Sequence, residues 1–172
     1  MDFTVDHNLA KVTEAYSADC VDFLARHLSK HLDYSAASVV VVEQCLGVFH
    51  DQKAAGPGEE QIQQFAKMFG SYLGETYRRL HGGQWGVDGA RQPAFRTVGG
   101  GICWPWTRAY KRIMNGPEDD VVHWFHYLVE NGGESPPQTT PVPPPLPGRS
   151  PAAPPPPKIS PSKHIFHRLF GR

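Results

Sequence analysis

Few residues of this 172-residue chain combine a reactive type with a spacing at which they could act together. Glu75 ends the run Gly70-Ser71-Tyr72-Leu73-Gly74-Glu75, His81 follows it, and Trp85 and Arg96 lie just beyond the glycine pair Gly82-Gly83. Around one cleft these four would supply a carboxylate, a titrating imidazole, a stacking ring and an anion clamp, the mixed lining of a small-ligand site. Glu75 can equally pair with Arg78 or Arg79, the more frequent fate of an acid one helical turn before a base. His27 and His31, and His123 and His126, are spaced to share a helical face, but neither pair has a third ligand marked in sequence. Exposed helix histidines are the simpler reading, and no metal is expected. Gly99-Gly100-Gly101 lacks the Lys-Ser/Thr of a phosphate loop and the βαβ setting of a dinucleotide fingerprint, so neither a nucleotide nor another cofactor is expected. Cys20, Cys45 and Cys103 are widely spaced among apolar neighbours, which predicts buried reduced thiols rather than a disulfide framework or zinc knuckle.

The elements that must position these residues centre on 59–81. Ile62, Phe65, Ala66, Phe69, Leu73, Tyr77 and Leu80 repeat at three and four, the stripe of a helix laid across a core, and Gly82-Gly83 stops it. Gly70 and Gly74 each cost about 1 kcal/mol relative to Ala inside a helix, which predicts close approach of another backbone in preference to a ligand groove. Upstream, residues 1–8 are expected to be loose. A first helix is placed at 9–32, with Val12, Tyr16, Cys20, Phe23, Leu24, Leu28 and Leu32 inward and a possible restart at Ser17 or Asp19. A second helix runs from Ser35 to Asp51, because Val39, Val42, Leu46 and Phe49 keep helical spacing and Ser35 suits an N-cap. Downstream, strands near 84–88, 93–98 and 101–104 make a meander of two or three strands turning at Asp88-Gly89 and at the glycine triplet. Two short helices close the domain. The first is capped by Thr107 and carries Tyr110, Ile113 and Met114 inward. The second starts at Pro117 and carries Val121, Val122, Phe125, Leu128 and Val129. The expectation is one α+β domain over 9–133, helices first, then a small antiparallel β-meander and two C-terminal helices.

At Leu32-Asp33-Tyr34-Ser35, Gly70-x-Tyr72-Leu73-Gly74-Glu75, Gly83-x-Trp85 and Lys111-Arg112-Ile113-x-Asn115-Gly116 the chain resembles a family of small bacterial domains of unknown function. These elements occur there in the same order, over about Leu32 to Leu128. The resemblance implies a single α+β domain of bacterial origin and carries over no catalytic residue, since none is assigned. The valine-rich second helix and the proline-rich tail depart from the family's pattern.

Charge divides the chain in two. Residues 1–134 hold 12 Lys and Arg against all 17 acids, a net of −5, whereas 135–172 hold five bases and no acid. Thirteen of the 17 prolines also lie in the second part. That composition predicts a disordered linker over 134–162, locally polyproline II. Pro144, Pro147 and Arg149 match the PxxPxR ligand pattern, although a plain spacer accounts for the stretch more simply. A short basic amphipathic segment, 163–172, ends the chain, with Ile165, Phe166, Leu169 and Phe170 on one face and Arg168 among the rest. This segment is the sharpest functional signal. It could dock on the acidic body, bind a partner's groove or touch an anionic membrane, the last only transiently. An acidic body argues against nucleic acid. The N-terminus has acids where a signal peptide carries bases, and no apolar run approaches about 20 residues, so a soluble cytoplasmic protein is expected. The functional expectation is a non-catalytic interaction module whose tail recruits a protein partner, with an enzyme or small-ligand binder as the alternative.

Overall fold

The structure, a computed structural model, describes residues 2–54 and 56–133. Its centre is the helix Glu59–His81, in which every residue from Met68 to Tyr77 is buried. Around it stand, in chain order, β1 (Phe3–Val5), α1 (His7–Leu28), α2 (Ala36–Gln52), the central helix as α3, β2 (Gln84–Asp88), β3 (Pro93–Arg96), β4 (Ile102–Cys103), α4 (Pro105–Asn115) and α5 (Val121–Asn131). A 3-10 turn, Pro117–Asp119, joins α4 to α5. The fold is α+β: among the described residues, five helices stand with one antiparallel sheet of order β1-β2-β3-β4.

Helix starts follow local chemistry. Asp6 accepts from the N–H groups of Asn8 and Leu9 at the head of α1, and Ser35 caps α2 through the N–H of Ser38. Val39, Val42, Leu46 and Phe49 are all buried, so packing outweighs the small helix penalty of valine in α2. On the sheet, side chains alternate between two clusters. Trp85, Phe95 and Cys103 enter the main helical core, whereas Ala94, Ile102 and Trp104 gather on the other side with Phe3 against them. The close approach of another backbone expected at the helix glycines is present at Gly70, whereas at Gly74 the neighbour is a side chain. A Cβ on Gly70 would stand 2.6 Å from the carbonyl oxygen of Pro105 and 2.7 Å from the Cα of Trp106, while one on Gly74 would fall within the Trp85 indole.

Several expectations need correction. The N-terminal residues are not a loose end: Phe3, Thr4 and Val5 pair with Asp88, Val87 and Gly86, making β1 a fourth strand. α1 is unbroken through Ser17 and Asp19 and ends at Leu28, where Ser29 takes a left-handed conformation. His31 therefore lies beyond the helix and shares no face with His27. α4 starts at Pro105 after Trp104, ahead of Thr107. Pro117 opens the 3-10 turn, and Asp120 caps α5 instead. Leu80 and Val129 are exposed, at 46% and 42%. In α5 the fourth buried position belongs to Trp124, which the expected stripe of Val121, Val122, Phe125, Leu128 and Val129 leaves out.

Candidate functional site

Two places in the fold concentrate polar chemistry. The first is a network along one side of α3. Glu75 is 1% exposed, so its carboxylate must be matched inside the protein. Arg78 supplies two donors, with Nε at 3.0 Å from Oε1 and Nη2 at 2.8 Å from Oε2. The Trp85 indole donates to Oε1 at 2.9 Å, and Arg79 stands 3.8 Å from Oε2. The hydrogen-bonded carboxylate raises the pKa of Arg78 above the usual guanidinium range. Arg79 then reaches over the ring of Tyr34, 3.4 Å from its centroid. Tyr34 stacks on Tyr72 at 4.8 Å, and its N–H donates to the Tyr72 hydroxyl at 2.8 Å. Ser38 meets that hydroxyl at 2.6 Å, and Ser17 donates to the Tyr34 hydroxyl at 2.9 Å. Tyr34 holds a φ of 61°, a region that costs a bulky side chain energy and persists only where the surroundings fix it. Here those surroundings are the stack and the two hydroxyl bonds.

Of the four residues expected at a cleft, Glu75 and Trp85 are brought together but sealed, Trp85 being only 2% exposed. His81 is exposed beyond them, its ring packed on Tyr77 and 6.5 Å from that of Phe125. Arg96 lies across the sheet, donating to Gln84 at 3.1 Å and standing 4.7 Å over the Phe3 ring. Glu75 does pair with Arg78, as its spacing allows, with the carboxylate buried and the guanidinium side chain 41% exposed. The three cysteines are buried free thiols. Among the described residues no three His, Cys, Asp or Glu side chains gather as a metal site.

A second polar core lies between α2, α4 and α5. Arg112 is 6% exposed and donates through Nε to Glu43 at 2.6 Å. The other Glu43 oxygen accepts the first N–H of α5, that of Val121, at 2.9 Å. His50 Nδ1 meets the Ile113 carbonyl at 2.8 Å, and Lys53 donates to that of Met114. These contacts satisfy the end of α4 and fix the angle at which α5 departs.

That departure opens the second place of interest, a depression of about 350 Å³ at the junction of α4, the 3-10 turn and α5. Trp124 and Pro117 line it with Tyr127, which is 40% exposed. Arg108, Glu118, Asp120 and His123 supply its polar groups. Arg108 is held by Asp119 at 2.9 Å and lies 5.8 Å over the Trp124 ring. Asp120 accepts the His123 N–H at 2.7 Å. None of these residues figures in the cleft expected from sequence. The run Pro117-Glu118-Asp119-Asp120 carries the signal but reads equally well as an ordinary helix start. The linker 134–162 and the tail residues Ile165, Phe166, Arg168, Leu169 and Phe170 lie outside the described residues. No helix among the described residues is long and apolar enough to cross a membrane. Neither the family models, nor the curated proteins, nor the solved structures include a match to this chain.

Proposed function

We propose that this protein is a non-catalytic interaction module of the bacterial cytoplasm, in which the body presents the α4–α5 depression to an extended peptide and the tail segment around Ile165–Phe170 recruits the same partner. The observation that carries the reading is the make-up of the depression: an exposed tyrosine and a proline over a tryptophan floor, rimmed by charge and open to solvent. Rings that present an apolar face and a polar tip favour peptide contact at low entropy cost, and aromatic-lined grooves are how proline-bearing segments are held. The groups that would have served a small ligand, Glu75 and Trp85, are hydrogen-bonded to one another in the interior. Of the motifs behind the family resemblance, three contribute to that network through Tyr34, Tyr72, Glu75 and Trp85, while Arg112 of the fourth lies apart, bonded to Glu43.

The test compares three chains as bait: the full chain, the chain lacking residues 159–172, and Tyr127→Ala. A partner recovered by the first, and binding it directly once purified, should be lost with the deletion and weakened by at least tenfold with Tyr127→Ala. Equal binding by all three overturns the proposal.

A further inference from the structure

We propose that residues 144–149 of this chain, Pro-Pro-Leu-Pro-Gly-Arg, are the resident occupant of the α4–α5 depression, docked in cis with Arg149 at its acidic rim. The inference rests on the depression being a peptide-binding face. Three observations select this segment.

The first is chemical fit. Prolines at i and i+3 stand on one edge of a polyproline II helix, whose ring faces dock on exposed aromatic side chains. Tyr127, Pro117 and the Trp124 floor offer such a surface. The sequence by itself favours a plain spacer, because proline-rich linkers match the PxxPxR pattern by chance; the depression gives this match a surface to dock on.

The second is charge. Glu118 and Asp120 line the rim, and Arg108, the one guanidinium lining it among the described residues, is paired with the neighbouring Asp119. The rim therefore remains acidic, and the tail carries five bases and no acid. Arg149 follows the second proline closely enough to reach the carboxylates while the prolines occupy the floor. A guanidinium is the side chain best shaped to bridge two such groups.

The third is reach. The described chain stops at Gly133, which packs beside Gly101 at the far end of α5 from the depression. Returning along α5 to Asp120 takes about 20 Å at 1.5 Å per residue. Residues 134–143 span about 30 Å as polyproline II. The linker is thus long enough to fold back and short enough to keep its ligand at millimolar effective concentration, so a contact too weak to matter between molecules is occupied within one. The consequence is a self-shielded face: an incoming peptide must displace the chain's own segment first.

The experiment uses the full chain labelled with ¹⁵N and a synthetic peptide spanning residues 142–150. Arg149→Glu, and separately Pro144→Ala with Pro147→Ala, should move the backbone signals of residues 117–127 and the Trp124 indole signal, leaving those of α1 in place. Glu118→Lys should do the same, and combining it with Arg149→Glu should restore the original positions. Added peptide should bind Arg149→Glu at least tenfold more tightly than it binds the unaltered chain. Groove signals identical in all variants, with the peptide titrating every chain equally, would overturn the docking and leave the peptide-binding reading standing. Identical signals with no peptide response in any chain would remove both.

Discussion

Cys45 is packed into the core near Cys20, and burial pushes its thiol up to about 11 from an ordinary 9.0. The folded state thus holds this proton more tightly than the unfolded chain does. Stability from that difference is fully present below pH 9.0 and is lost as pH rises towards 11. Two pH units correspond to about 2–3 kcal/mol. Burial raises Cys20, Tyr16, Tyr72 and Tyr77 in the same direction, so their contributions add to the loss. Urea midpoints taken at about pH 8 and about pH 10.5 should show a clear alkaline fall, part of which disappears in Cys45→Val. Equal midpoints at the two pH values would exclude the effect. The thiols' burial was legible in sequence because each has apolar neighbours. The environment of Glu75 was not: position suggested both a cleft and an ion pair, and it is the Trp85 indole arriving from β2 that covers the carboxylate while Arg78 reaches it from the surface.

Among the elements, α3 was readable to the residue because stripe, acidic first turn and glycine stop agree over a long stretch. Its glycine pair was readable for a different reason, since an unfavourable residue inside a strong helix demands an external cause. Gly70→Ala measures that cause. Alanine would return about 1 kcal/mol of helix propensity. However, its methyl would meet the Pro105 carbonyl at 2.6 Å and the Trp106 Cα at 2.7 Å, and both are backbone atoms that cannot rotate away. Overpacking of this kind costs about 1–3 kcal/mol, so α3 and α4 must part and the net change is destabilising. A lower melting temperature, with helical content retained, is the expected outcome; a rise would mean that the α3–α4 contact is loose. The start of α4 was misread because Thr107 resembles a cap, whereas the helix begins at Pro105, where the missing N–H costs nothing. Val129 was misread as inward because it stands four residues after Phe125, whereas the buried stripe runs through Val121, Trp124, Phe125 and Leu128; leaving Trp124 out of the stripe also hid the floor of the depression.

Considered as a whole, the molecule is closed by its first residues. β1 joins a sheet whose other strands come much later in the chain, so although Phe3-Thr4-Val5 has strand propensity, three residues with no neighbouring partner read as a loose end. Its partners explain it. Thr4 pairs with Val87, Phe3 packs on the cluster of Ala94, Ile102 and Trp104, and Arg96 lies over the Phe3 ring. Removing residues 1–5, with the Asp6 cap retained, strips β2 of its ladder partner and uncovers that cluster. Partial burial of Phe3 and the lost ladder bonds, less the entropy regained by three ordered residues, leave a destabilisation on the order of 1–3 kcal/mol. The larger consequence is topological. β1 is a short edge strand that blunts the sheet, and without it β2 presents unpaired N–H and C=O groups beside apolar side chains, a template for another chain. The truncated protein should melt lower and associate in a concentration-dependent way by light scattering, while the intact chain under the same conditions does not change. A truncated chain that stays monodisperse at every concentration and melts with the intact one would show that β2 needs no cover and that its packing under α1 suffices.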